Sequence, residues 1–201
     1  MDEGDVVMLD GVAVTSLART WLDLASIFAV EDLVVIGDFL VSEHRRNFGP
    51  PRKAKVPLAE LRRYVESKSS LPGLARLRKA LALVRVGVDS PPETRLRLML
   101  QRAGLPEFRP NYPLCDDSGY PKVWADLGCP EFRTCVEYEG EHHLTPEQQS
   151  SDHDRDFMTL SLQWHQAKIN KTDIKRGEGH VVGKVSRMLT LGGWTPEPRA
   201  A

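Results

Sequence analysis

The chain has 201 residues, of which 41% are apolar and 27% charged, with a formal net charge of −1; this suits one ordinary domain, or a compact domain with a smaller companion, and excludes global disorder. No apolar run approaches the roughly 18 residues that span a bilayer, and the acidic start Met1-Asp2-Glu3-Gly4-Asp5 is unlike a secretory leader. Three cysteines, Cys115, Cys129 and Cys135, form no Cys-x-x-Cys pair and no even disulfide set, so the expectation is a reduced, cytoplasmic protein with no membrane contact.

Residues 16–39 read as helix, with Ser16 able to cap and Leu17, Thr20, Trp21 and Leu24 at helical spacing. A second helical pattern covers 31–41. Asn47-Phe48-Gly49-Pro50-Pro51 is a breaker. Helical patterns resume over 58–66 and 74–86. Ser90-Pro91-Pro92-Glu93 is a helix start with the spacing of a capping box, and that helix ends at Gly104. Then the pattern changes to short extended runs at 112–115, 123–127 and 134–138, a helix over 146–164, a strand at 166–169 and a last helix over 179–191. Helices alternating with strands in this way predict an α/β arrangement, a small mixed sheet flanked by helices. The expected organisation is a helical N-terminal region, 1–87, a domain at 88–195 and a tail, 196–201.

The small net charge hides a partition. Residues 45–109 hold sixteen basic and five acidic groups, net +11, whereas residues 116–156 hold three basic and eleven acidic groups, net −8. Either two surfaces neutralise each other, or a polyanion-binding face lies next to carboxylates that hold a divalent cation.

Within the acidic stretch, Glu137 and Glu139 are two residues apart in one predicted strand and so share a face. A hairpin turning near Pro130-Glu131 or Glu131-Phe132 puts Asp126 opposite residue 135 or 137, on that same face in either register. Three converging carboxylates repel one another, and an oxygen-preferring dication such as Mg²⁺ relieves the repulsion. The alternative is three surface acids paired with arginines or solvated. Gly140-Glu141-His142-His143 follows, and Gln148, Gln149, Asp152 and Arg155 fall at helical spacings on the next helix.

The strings SPPETRLRLMLQRAGLPEF and DLGCPEFRTCVEYEGEHH, then Gln149, Asp152, Arg155 and the strand at 166–169, resemble the small domain related to very-short-patch-repair endonucleases in the PD-(D/E)XK superfamily. The run from Val14 to Leu24 resembles the helical region that precedes this domain in longer relatives, which often begin with a winged-helix segment of the abortive-infection-antitoxin type; the expectation is either a short version or a late start site. The resemblance implies a restriction-endonuclease-like fold. It also implies that Asp126 and Glu137, joined by the Tyr138 carbonyl, are ligands for Mg²⁺ or Mn²⁺, and that Glu93 reaches a metal-bound water. Glu139 departs from the pattern, because it stands where lysine is usual. A carboxylate cannot stabilise phosphorane charge, so His142 or His143 would have to assist. Gln149 either joins this catalytic group or ties its helix to the sheet edge, and Glu93 either serves the site or only completes the capping box. Two functions follow: a metal-dependent nuclease hydrolysing DNA phosphodiester bonds, or a catalytically weak or inactive nuclease-like module for nucleic-acid binding or regulation in a defence or toxin–antitoxin context.

Overall fold

The computed structural model describes residues 4–140 and 146–196, with only the backbone described for 146–152. The chain divides into two compact units, Met1–Arg95 and Leu96–Ala201.

The first unit opens with an antiparallel hairpin, β1 (Val6–Leu9) and β2 (Val12–Thr15). It turns at Asp10 and Gly11, both at positive φ (50° and 83°), the backbone of the two-residue turn that suits the right-handed twist of a hairpin. Four helices follow: α1 (Leu17–Leu24), α2 (Val30–Val41), α3 (Leu58–Glu66) and α4 (Leu74–Leu83). The helix predicted over 16–39 is therefore two helices. Arg76 donates to the carbonyls of Ala25 and Phe28, each at 3.0 Å, and so satisfies backbone groups where the chain leaves α1.

The core of this unit gathers around Trp21, which is fully buried and donates its indole N–H to the Leu33 carbonyl at 2.9 Å. Gly37 of α2 lets the helices approach here: a Cβ on it would lie 2.5 Å from Val84 Cγ2 and 3.0 Å from Trp21 Cζ2. Two carboxylates tie the connections. Buried Asp5 accepts from Arg19 (2.9 Å), Lys68 (2.9 Å) and the Tyr64 hydroxyl (2.7 Å). Burial, and then the hydrogen bond to Asp5, push the Tyr64 hydroxyl up to about 12. Asp89 accepts from Arg46, from Arg52 at 2.8 Å and from His44 at 3.1 Å, and so holds the segment between α2 and α3.

Helix α5 (Pro91–Arg102) begins in the first unit and ends in the second. The second unit continues with β3 (Arg109–Cys115), β4 (Pro121–Cys129), a 3₁₀ turn (Pro130–Phe132), β5 (Thr134–Glu139), α6 (Pro146–Ser161), β6 (His165–Asn170), α7 (Lys171–Lys175) and α8 (Glu178–Leu191). The sheet runs β3-β4-β5-β6, antiparallel at the first two junctions and parallel at the third. The parallel pair needs a crossover, and α6 lies in it. This is the expected small mixed sheet flanked by helices, with element order as read from residue 90 onward; the five-residue α7 was not foreseen.

Leu96 and Leu100 of α5 join Leu127, Cys129, Val136, Ala167, Ile169 and one face of α8 in one cluster. That face is Val181, Val185 and Leu189, spaced four apart as an amphipathic helix requires. Leu114, Val123, Ala125, Cys135 and Trp164 form a second cluster. At the far end of α8, a Cβ on Gly192 would lie 1.9 Å from the Phe132 carbonyl oxygen, so only glycine permits that approach. Among the described residues no helix is long and apolar enough to cross a membrane.

Asp173 anchors α7. It closes a capping box with Asn170 and also accepts from Lys184 at 3.0 Å and His180 at 2.9 Å. The Lys184 ammonium, helped by His180 and the Asn170 backbone and opposed by burial, pulls this carboxyl from its ordinary 3.8 to about 2. A depressed carboxyl contributes stability above its unfolded value and loses it as pH falls through its folded value. Asp173→Asn is therefore expected to lower the thermal midpoint near pH 6, and the gap from the parent chain should shrink as pH drops from about 4 towards 2 in melts followed by circular dichroism. A gap that stays constant across that window contradicts this assignment.

Candidate functional site

The β4–β5 ladder pairs Cys129 with Thr134, Gly128 with Cys135 and Leu127 with Val136, and goes no further. Beyond it the Tyr138 N–H donates to Asp126 Oδ2 at 2.8 Å, so a side-chain carboxylate takes the place of a strand carbonyl. Asp126 is thereby fixed beside the β5 residue that lies between Glu137 and Glu139. The pairs that do form, from Leu127–Val136 to Cys129–Thr134, have the register of a turn near Glu131-Phe132, and they stop short of Asp126.

Glu137 is buried. Arg155 of α6 reaches it with one guanidinium nitrogen, 3.0 Å from Oε2 and 3.1 Å from Oε1, and the same nitrogen donates to the Trp124 carbonyl. The Cys135 thiol between the strands reports the charge around it. Burial pushes it up, the negative charge of Glu137, Asp126 and Asp156 adds to the rise, and Arg155 opposes it.

Glu139, the departure from the usual lysine, is half-exposed and ion-paired. Lys168 Nζ lies 3.1 Å from its Oε1 and 2.6 Å from Asp156 Oδ2. The parallel register brings Lys168 there, because β6 runs level with β5, Glu137 beside Lys168 and Glu139 beside Asn170. Burial disfavours the charged lysine, but the hydrogen bonds it donates to Asp156 and Glu139 outweigh this and the ammonium is held more firmly than usual. Two cations therefore stand among the acids, Arg155 from the helix and Lys168 from the neighbouring strand.

Glu93 belongs to the first unit, where its carboxylate accepts from the Asp89 N–H at 2.9 Å and the Ser90 hydroxyl at 2.6 Å, contacts that tie down the start of α5. His142 and His143 lie outside the described residues, and Gln149 is on α6 with its side chain outside them. Lys168 and Asp156 were not singled out in the sequence. Their only local signal is a charged residue within a short strand and another on the preceding helix, and what joins them is long-range pairing.

Among the described residues no three of His, Cys, Asp and Glu come close enough together to hold a metal ion. The donor chemistry still suits a hard dication in one respect. Asp126 and Glu137 are both carboxylates, and Mg²⁺ is commonly held by one or two carboxylates together with substrate phosphates and water. The Arg155 guanidinium shows that a cation is tolerated against Glu137, and it is the group a metal would displace.

Removing that guanidinium leaves a buried carboxylate with less compensation. Arg155→Ala is expected to destabilise by about 1–2 kcal/mol, at the low end for a charge-assisted contact because the arginine side chain is 42% exposed. Adding Glu137→Gln should recover part of the loss in urea unfolding, and no recovery in the double variant would show that Arg155 acts through other contacts.

No family model matches this chain, and no solved structure matches it significantly. Two proteins of Mycobacterium tuberculosis, one in each of two strains and both described as uncharacterized, are similar to it at 26% identity over 140 residues, which is 69% of this chain and 51% of theirs. The chain spans about half the length of the curated relatives it matches.

Proposed function

We propose that the second unit is a restriction-endonuclease-like domain of the PD-(D/E)XK type, related to very-short-patch-repair endonucleases, that hydrolyses phosphodiester bonds of DNA in the cytoplasm with Mg²⁺ or Mn²⁺. The observation that carries this reading is Lys168 Nζ, 3.1 Å from Glu139 and one strand away from Glu137. A lysine that the chain lacks at position 139 is supplied from β6, with Glu137 beside it on β5 and Asp126 one strand further away on β4.

Hydrolysis adds a water oxygen to phosphorus and releases the 3′ oxygen, with negative charge growing on the phosphoryl oxygens. Asp126 and Glu137 would hold the metal, which when bound supplies a Lewis acid for the phosphate and an acidified water. Asp126 is oriented by the Tyr138 N–H. Lys168 supplies a fixed positive charge for the attacking oxygen and the phosphoryl group, with Asp156 and Glu139 orienting its ammonium. His142 and His143 are the alternative source of that help.

A second reading draws on Arg155. Its guanidinium already neutralises Glu137, which favours a nuclease-like module of weak or no activity that binds nucleic acid or regulates in a defence or toxin–antitoxin context.

Calorimetric titration with Mg²⁺ or Mn²⁺ is expected to give binding heat in the parent chain and little in Asp126→Ala with Glu137→Ala. Equal heats in both would remove the metal site.

Cleavage of supercoiled plasmid with either ion should vanish in that double variant. Lys168→Met should cut it by about 10²–10³-fold, the usual loss for a group that stabilises transition-state charge, whereas His142→Ala and His143→Ala should change it little. A loss in the histidine variants with none in Lys168→Met reverses the assignment. Absence of cleavage of any single- or double-stranded substrate leaves the binding-module reading in place of the enzyme.

A further inference from the structure

Away from the carboxylates, α7 and the first half of α8 enclose a cavity of about 400 Å³. We propose that this cleft binds a backbone phosphate of nucleic acid. The proposal rests on the reading that the chain engages nucleic acid, but not on cleavage.

Charge is the first support. Arg176, Lys184 and Arg187 line the cleft together with His180, and Asp173 is its one acid. His180, Lys184 and Arg187 recur at spacings of four and three on α8, which puts them on one helix face. Asp173 does not cancel this face as a free anion would. It is buried, closes the α7 capping box and accepts from His180 and Lys184, so it fixes the direction of the imidazole and the ammonium while its own charge is spent inside the fold. Arg176 and Arg187 are exposed. No carboxylate among the described residues forms a salt bridge with either.

Shape is the second. Gly179 and Gly183, four apart, form the floor, and a Cβ on either would meet nothing within 4 Å. Neither glycine is needed for packing or for a left-handed backbone, so the space over them is open to a ligand oxygen. α8 is 14 residues long, and Gly177 at its start gives no side-chain cap, so the positive end of its dipole lies at the end where Arg176 and Gly179 line the cleft.

Position is the third. Lys184 donates to the Lys168 carbonyl, so the cleft is hydrogen-bonded to the strand that carries the ammonium of the carboxylate site. Arginine forks suit a phosphodiester, which presents two equivalent oxygens.

The test is binding of the whole protein to fluorescent double-stranded DNA by anisotropy, without divalent ions, at several salt concentrations. Arg176→Gln with Arg187→Gln changes only exposed side chains, and an unchanged circular dichroism melt checks the fold. The double variant should bind roughly tenfold more weakly on every sequence, and its salt slope should fall by about 2, one per lost phosphate contact. Gly183→Glu, which puts a carboxylate on the cleft floor, should weaken binding as well, and Gly183→Ala should not. Parent-like affinity and salt slope in both the arginine and Gly183→Glu variants overturns the cleft while leaving nucleic-acid engagement intact. No binding of single- or double-stranded DNA or RNA by the parent chain overturns both. Binding of inorganic phosphate in the cleft without binding of any nucleic acid overturns the assignment to a backbone phosphate.

Discussion

The register of one parallel strand pair decides what this sheet can do. β6 runs level with β5, so that Glu137 is beside Lys168 and Glu139 beside Asn170. A slip of one residue would send Lys168 to the opposite face, away from Glu139 and Asp156. The register is held on the apolar side by Val136, Ala167 and Ile169, which pack with α8, and at the strand end by Asn170, which caps α7. The apolar face thus specifies the position of the charged one. Side chains that carry no charge set which ammonium meets which carboxylate.

The second unit was largely legible in the sequence from residue 90 onward because its signals are local. Turn residues separate short extended runs, Ser90-Pro91-Pro92-Glu93 marks a helix start, and the parity of 137 and 139 needs no tertiary knowledge. The bond from the Tyr138 N–H to Asp126 was not visible, since it depends on where the ladder stops. Lys168 was missed because parallel pairing joins residues that are distant in sequence, and nothing near position 168 announces its partner. The β1–β2 hairpin was missed for a different reason. Asp10-Gly11 between two apolar runs is a strong hairpin signal, but each strand has only four residues and is largely exposed, so neither shows the alternation of a half-buried strand.

The charge partition has a partial resolution inside the first unit. Arg19 and Lys68 meet at buried Asp5, and Arg46 and Arg52 meet at Asp89. Four of the basic groups in the sequence are thus drawn into the scaffold, where a lost partner is costly because the remaining charge stays partly or wholly out of water. Charge counted along a sequence overstates what a surface can offer a polyanion. The cleft beside α8 makes the opposite point. It lies in a stretch of modest net charge, yet its cations are gathered on one helix face around a single acid.

The three cysteines differ in what chemistry can reach them. Cys129 and Cys135 are buried, and burial pushes both thiols up, which suppresses the reactive thiolate. Cys115, half-buried at the end of β3, is the accessible one. A maleimide dye added to the native protein will therefore go to a single position without any cysteine being removed. That position borders the turn Asp116-Asp117-Ser118-Gly119, at the opposite end of β3 from the strand start at Arg109. The folded chain thus carries its own attachment point for a spectroscopic reporter, and denaturation, by exposing the other two thiols, would be counted directly as a change from one label to three.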